Sequence, residues 1–257
     1  MKIKKIIKTA ATAICAAWLS YIPALSQASV VIGGTRVVYE AKETEVTLKL
    51  TNPGQSPALV QAWVDAGNTG TAPADINVPF TVTPPMSRLD PTKAQTLRIV
   101  YTGEPLPTDR ESVFWLNVLE IPPKPSADEA DTNKIQLAFR SRIKLFYRPA
   151  DLKGKPEEAA SQLRWKLIKQ EGKPAIEVHN PTPFHVSLTE ISVHSAGKQA
   201  TFDDGGMVDP GKTEIFVLKG EASDVPGASV HHRSLNDYGG PVEGQTLLHP
   251  EAPGKTQ

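Results

Sequence analysis

Cysteine is almost missing from this 257-residue sequence: the one present is Cys15, near the amino terminus. A cysteine nucleophile, a redox pair and a thiolate-ligated zinc site are therefore excluded for everything that follows it. The chain has no Gly-x-Ser-x-Gly elbow, no phosphate-binding glycine loop and no His-Glu-x-x-His pair. Its histidines are scattered. His231 and His232 are neighbours, but adjacent strand residues point to opposite faces and do not readily share a metal. Asp203-Asp204 precede Gly205-Gly206, which is turn chemistry and not a catalytic carboxylate pair. With no nucleophile–base pair to name, the chain reads as a non-enzyme without cofactor or metal. A basic excess is also lacking, with 28 Lys and Arg against 28 Asp and Glu, which argues against a nucleic-acid partner. Beyond Leu25 no apolar run is long enough to cross a bilayer, so no membrane insertion is expected.

What is present begins with a basic opening, Met1 to Lys8, that carries no acid. An apolar stretch follows from Thr9 to Leu25, and Ser26-Gln27-Ala28 then offers small residues at a cleavage site. This order predicts a secretory signal over residues 1–28, cut after Ala28. The alternative, a membrane anchor, is disfavoured because the apolar core is short. Cleavage removes Cys15 and four lysines, leaving 24 basic against 28 acidic residues in 229, a net charge of about −4. An exported chain without disulfides must be held by its hydrophobic cores, which domains of roughly 100 residues can supply.

Period-2 alternation dominates thereafter. Short apolar runs recur at 30–39 (continuing past Gly33-Gly34), 45–51, 59–64, 80–83, 95–101, 112–121 and 135–147, separated by Pro, Gly and Asn turns. Seven strands at this spacing predict one immunoglobulin-like sandwich over 29–147. The run at 112–121 is nearly all apolar and suits a strand buried on both faces. Further runs at 164–168, 175–179, 186–193 and 213–218 predict a second, smaller sandwich over 152–250, with a tail at 251–257. The linker, 148–151, is too short for independent motion, so a fixed angle with an interdomain cleft is expected. The fold class is all-β.

The run at 135–147 stands apart. Alternate residues give an apolar row of Ile135, Leu137, Phe139, Ser141, Ile143 and Leu145; between them lie Gln136, Ala138, Arg140, Arg142 and Lys144. At about 11 to 13 residues it exceeds the usual strand of 5 or 6. Ile143 and Leu145 fit an ordinary half-buried strand. The first half either does the same or runs past the core, leaving an apolar edge of a kind that proteins normally suppress.

Leu106-Pro107-Thr108-Asp109-Arg110-Glu111-Ser112-Val113-Phe114-Trp115-Leu116-Asn117-Val118-Leu119-Glu120-Ile121-Pro122, Gly34-Thr35-Arg36-Val37-Val38-Tyr39, Ser141-Arg142-Ile143-Lys144-Leu145-Phe146-Tyr147-Arg148-Pro149, Asn180-Pro181-Thr182-Pro183-Phe184 and Asn236-Asp237-Tyr238-Gly239 form a set of segments. That set resembles the PapD-like periplasmic pilus-assembly chaperones. Together these segments span nearly the whole mature chain. The resemblance implies a periplasmic chaperone that caps pilus or fimbrial subunits by donor-strand complementation and delivers them to an outer-membrane usher. It implies that Ile135, Leu137 and Phe139 fill the subunit groove. It further implies that Arg36 and Lys144 grip the subunit's terminal carboxylate, although each alone reads as a solvated charge. Glu111, Arg148 and Asp237 fall at positions implied to form an ion network that fixes the domain angle.

The chain also departs from that pattern. No cysteine pair accompanies the seventh strand, and the loop at 122–134 is short, which resembles the short-loop branch. Asp209-Pro210-Gly211-Lys212 differs from the family's usual text. An immunoglobulin-like adhesin would show loop aromatics, whereas Trp63, Trp115 and Trp165 lie within apolar strands.

Overall fold

The computed structural model describes residues 30–124 and 136–248. Residues 1–28, where a signal is expected, together with Cys15, Ile135, most of the 122–134 loop and the 251–257 tail, lie outside the described residues. The chain adopts the expected all-β fold of two sandwiches.

The strands of the first sandwich are β1 (Val31–Ile32), β2 (Arg36–Glu40), β3 (Val46–Thr51), β4 (Ala58–Asp65), β5 (Phe80–Thr83), β6 (Met86–Leu89), β7 (Ala94–Tyr101), β8 (Ser112–Ile121) and β9 (Phe139–Arg148). One sheet runs β1-β3-β7-β5 and the other β2-β9-β8-β4-β6. Between them are packed Val37, Tyr39, Leu48, Val64, Phe80, Ile99, Phe114, Leu116, Leu145 and Tyr147. Leu50, Val60, Ala62, Leu89, Leu97 and Val118 continue the core. The inward row alternates along every strand, as a half-buried pleat requires.

Three details differ from the sequence expectation. The 30–39 run is two strands, because the chain changes sheets at Gly33-Gly34. Gly33 donates its N–H to the Lys49 carbonyl at 2.8 Å, and an added Cβ there would sit 2.9 Å from that oxygen. The strand β6 follows Pro84-Pro85 and is too short to show a period. The expected strand at 135–147 begins its ladder only at Phe139, opposite Glu120, and ends at Arg148, opposite Glu40. Leu137 therefore precedes the ladder, and Arg148 belongs to β9 and not to a linker.

The second sandwich follows a one-turn helix, α1 (Pro156–Ala159). One sheet is β10 (Arg164–Gln170), β11 (Lys173–His179) and β15 (Thr213–Val217). The other orders β16 (Lys219–Gly220), β13 (Lys198–Phe202), β12 (Val186–Ser195), β17 (Ser229–Leu235) and β18 (Pro241–Leu247), with β14 (Gly206–Val208) also on β12. Ile176, Val178, Leu188, Ile191, Val193, Phe216 and Val230 fill the core.

Candidate binding edge and interdomain cleft

β9 is covered unequally. On one side β8 pairs with it from Phe139 to Tyr147. On the other, parallel β2 begins only at Lys144 and continues to Arg148. From Phe139 to Ile143 no described strand occupies that second side, so backbone groups face outward along an open edge. Phe139 is 61% exposed and Leu137 60%. The structure thus leaves two of the three apolar residues singled out from the sequence on the surface, while the third lies outside the described residues.

The covered half starts at a cationic pair. Arg36 and Lys144 are register partners across β2 and β9. Arg36 donates Nη1–H to the Leu235 carbonyl at 3.3 Å and lies over the Phe146 ring, 5.7 Å from its centroid. Its Nε is buried with no hydrogen-bond partner among the described residues. Lys144 donates to Ser187 Oγ at 3.1 Å and lies 5.8 Å from the Trp115 ring centroid. Burial, joined by the charge of Arg36 and partly opposed by Asp209, pulls the Lys144 ammonium down to about 8. Burial also lowers Arg36, against the pull of Asp237 and Glu111. Two cavities of about 420 and 430 Å³ open here, the first lined by Arg36, Phe146, Arg148 and Tyr238, the second by Trp115, Lys144, Ser187 and Met207.

Glu111, Arg148 and Asp237 come together across the domain junction. Arg148 donates Nε–H to Glu111 Oε1 at 2.7 Å, and its two Nη groups to Asp237 at 2.7 and 2.9 Å. Burial alone would lower Arg148, but Asp237 and Glu111 outweigh it and raise the group. Sequence reasoning missed His185, whose backbone N–H donates to Glu111 Oε2 at 2.8 Å and whose Nδ1 lies 3.2 Å from the same oxygen. Glu111 N–H also donates to the Pro183 carbonyl at 2.9 Å.

A second group went unread as well. On the outer face of the β2-containing sheet, Asp65 Oδ1 accepts from Arg142 at 2.6 Å and from Gly67 N–H at 2.7 Å. Its Oδ2 accepts from Asn117 at 2.7 Å and Arg140 at 3.3 Å. Burial would raise the Asp65 carboxyl, yet Asn117, the Gly67 N–H and Arg142 hold it below its ordinary value. The available signal was three i, i+2 pairs: Trp63 with Asp65, Trp115 with Asn117, and Arg140 with Arg142. Among the described residues no cluster of His, Cys, Asp and Glu could hold a metal. No described helix is long and apolar enough to cross a membrane.

Residues 29–153 match the family described as pili and flagellar-assembly chaperone, PapD N-terminal domain, and residues 158–246 match the pili assembly chaperone PapD C-terminal domain. This chain belongs to the PapD family of pilus-assembly chaperones. The chaperone is 44% identical over 239 residues to the probable fimbrial chaperone YadV of Escherichia coli K12, covering 92% of this chain and 97% of that one. It is 45% identical over 240 residues to the chaperone protein FimB/FhaD of Bordetella pertussis, covering 92% and 95%. Among solved structures it resembles the YadV chaperone, with a TM-score of 0.73 and 42% identity over 86% of this chain and all of that one. It also resembles a chain in the Salmonella enterica SafA pilin–SafB chaperone complex, with a TM-score of 0.71 and 33% identity over 88% and 99%. Chaperones of this family are not enzymes.

Proposed function

We propose that this chaperone, exported to the periplasm after cleavage behind Ala28, lends the open half of β9 to incomplete pilus subunits and passes them to an outer-membrane usher. One observation carries the reading: β2 covers β9 only from Lys144 onward, so the vacant half of the ladder runs into the Arg36–Lys144 pair. A visiting strand there would be collinear with β2. Running parallel to β9, it would bring its carboxyl end to two cations; running antiparallel, it would bring an ammonium there instead. Charge selects the first orientation. Arg36 Nε has no hydrogen-bond partner among the described residues, which leaves that guanidinium with donor capacity to spare for a carboxylate.

Phe139 and Leu137, followed outward by Ile135, fill the subunit's groove. Fully burying each contributes about 1.5–3 kcal/mol before the cost of association. The Glu111–Arg148–Asp237 network spans the junction and holds the cleft at one angle. The SafA pilin in complex with the SafB chaperone supports a pilus subunit as the partner. Co-expression with a pilus operon and recovery of the chaperone from periplasmic extract tests the reading. Subunits should accompany the wild-type chain and be lost with Arg36→Ala or Lys144→Ala, whereas equal recovery would overturn it.

A further inference from the structure

The open half of β9 has a ladder on one side only, and side chains add to what holds it extended. Its outward-facing residues on the outer sheet face are Arg140 and Arg142, and both turn back across β8. Arg142 donates Nη2–H to Asp65 at 2.6 Å and Nε–H to Asn117 Oδ1 at 3.1 Å, lying 4.7 Å from the Trp115 ring centroid. Arg140 donates Nε–H to Asn117 Oδ1 at 2.9 Å, Nη2–H to Asp65 at 3.3 Å and Nη1–H to the Thr69 carbonyl at 2.8 Å. It lies 4.9 Å from the Trp63 ring centroid. Asp65 and Asn117 are 1% and 0% exposed. A buried carboxylate is tolerated only when its oxygens are all used, and here they are.

The distribution of these contacts along β9 is selective. Asp65 and Asn117 take hydrogen bonds from positions 140 and 142, inside the segment that β2 leaves uncovered, and none is seen among the described residues from the covered half. The two guanidinium groups are thereby committed to the outer face, and Phe139 on the opposite row is left for a partner. We propose that Asp65 and Asn117 are positioning residues that keep the lending edge straight and in register before a subunit arrives. This rests on the strand-lending reading above. Ordering the edge in advance removes that entropy loss from the binding step.

Hydrogen exchange of the free, full chain, read by mass spectrometry over Phe139–Ile143, tests the array without any partner. Asp65→Asn should speed exchange in that segment by about tenfold or more while residues 152–248 exchange as in the wild type. The double variant Arg140→Lys, Arg142→Lys keeps the charge opposite Asp65 but loses the planar fork, so it should fold and show the same local loosening. Capture of a co-expressed pilus subunit should weaken too, in proportion to the fall in the ordered, competent fraction of the edge. Unchanged exchange over 139–143, or faster exchange spread evenly through residues 30–124, would overturn the proposal. So would faster local exchange with undiminished capture. A wild-type chain that captures no subunit at all would instead sink the strand-lending reading and leave the exchange result standing.

Discussion

Arg36 and Lys144 are the first register pair of the short parallel ladder between β2 and β9, so two like charges sit side by side in a half-buried cleft. For the free chain alone this arrangement is unfavourable, since burial and mutual repulsion both act against the Lys144 charge. Lys144→Met should therefore leave the melting temperature unchanged or higher. The same change removes a charge-assisted contact of about 1.5–3 kcal/mol, which corresponds to roughly 10- to 150-fold weaker subunit capture. Thermal unfolding and quantitative co-purification check the two halves separately.

The depressed Lys144 value predicts a pH profile. A bound carboxylate raises the ammonium's pKa, so capture above pH of about 8 requires proton uptake. Affinity should be flat below that value and fall by about tenfold per unit above it, until the raised pKa of the complex is reached. Lys144→Met should flatten the profile. Calorimetry at pH 7, 8 and 9 would read it.

Leu137→Asp and Phe139→Asp should separate folding from capture. Both residues are more than half exposed, so unfolding free energy should change by less than about 0.5 kcal/mol. Capture should drop steeply, since a charge would enter an apolar groove. Denaturant melts and periplasmic co-purification give the comparison.

The junction network should respond asymmetrically. Glu111→Ala leaves Arg148 Nε–H and the His185 N–H without the acceptor they share, and the Glu111 side chain is only 2% exposed. A loss of about 3–5 kcal/mol is expected. Asp237 is 37% exposed, and solvent screening reduces the effect of Asp237→Ala to about 1 kcal/mol. Urea titrations of the two variants should rank them in that order.

Acid should weaken the second sandwich through His232. It is 3% exposed, its ring lies tilted against Trp165 with centroids 5.0 Å apart, and it is lowered from 6.5, mainly by burial, with Glu243 opposing and His231 adding. The unfolded chain then binds the proton more readily, so stability is complete above about 6.5 and declines as pH falls below it. His232→Gln should remove that part of the slope, as seen in melting temperatures between pH 7 and 5.

The sandwiches were legible wherever apolar residues alternate, as in β3, β4, β7, β11 and β12, and in the apolar run of β8. β17 was not, because its inward row is Val230, His232 and Ser234, two of them polar. β13, β14, β16 and β18 are short or polar-faced and offered no period. The near-continuous apolar run of β8 was read as doubly buried. What covers its outer face is a layer of arginine side chains from β9, a contact that no periodicity reveals. The register of Arg36 with Lys144 was equally hidden, since 108 positions separate them and only the parallel pairing of β2 with β9 joins them.

The central claim is that a visiting strand ends, carboxylate first, on these two cations. It is tested most directly with a synthetic peptide copying the last strand of a co-purified subunit, made as the free acid and as the terminal amide. The free acid should bind the wild-type chaperone about tenfold or more tightly than the amide, and the difference should vanish with Lys144→Met. Equal affinity of acid and amide for the wild-type chain would contradict the account.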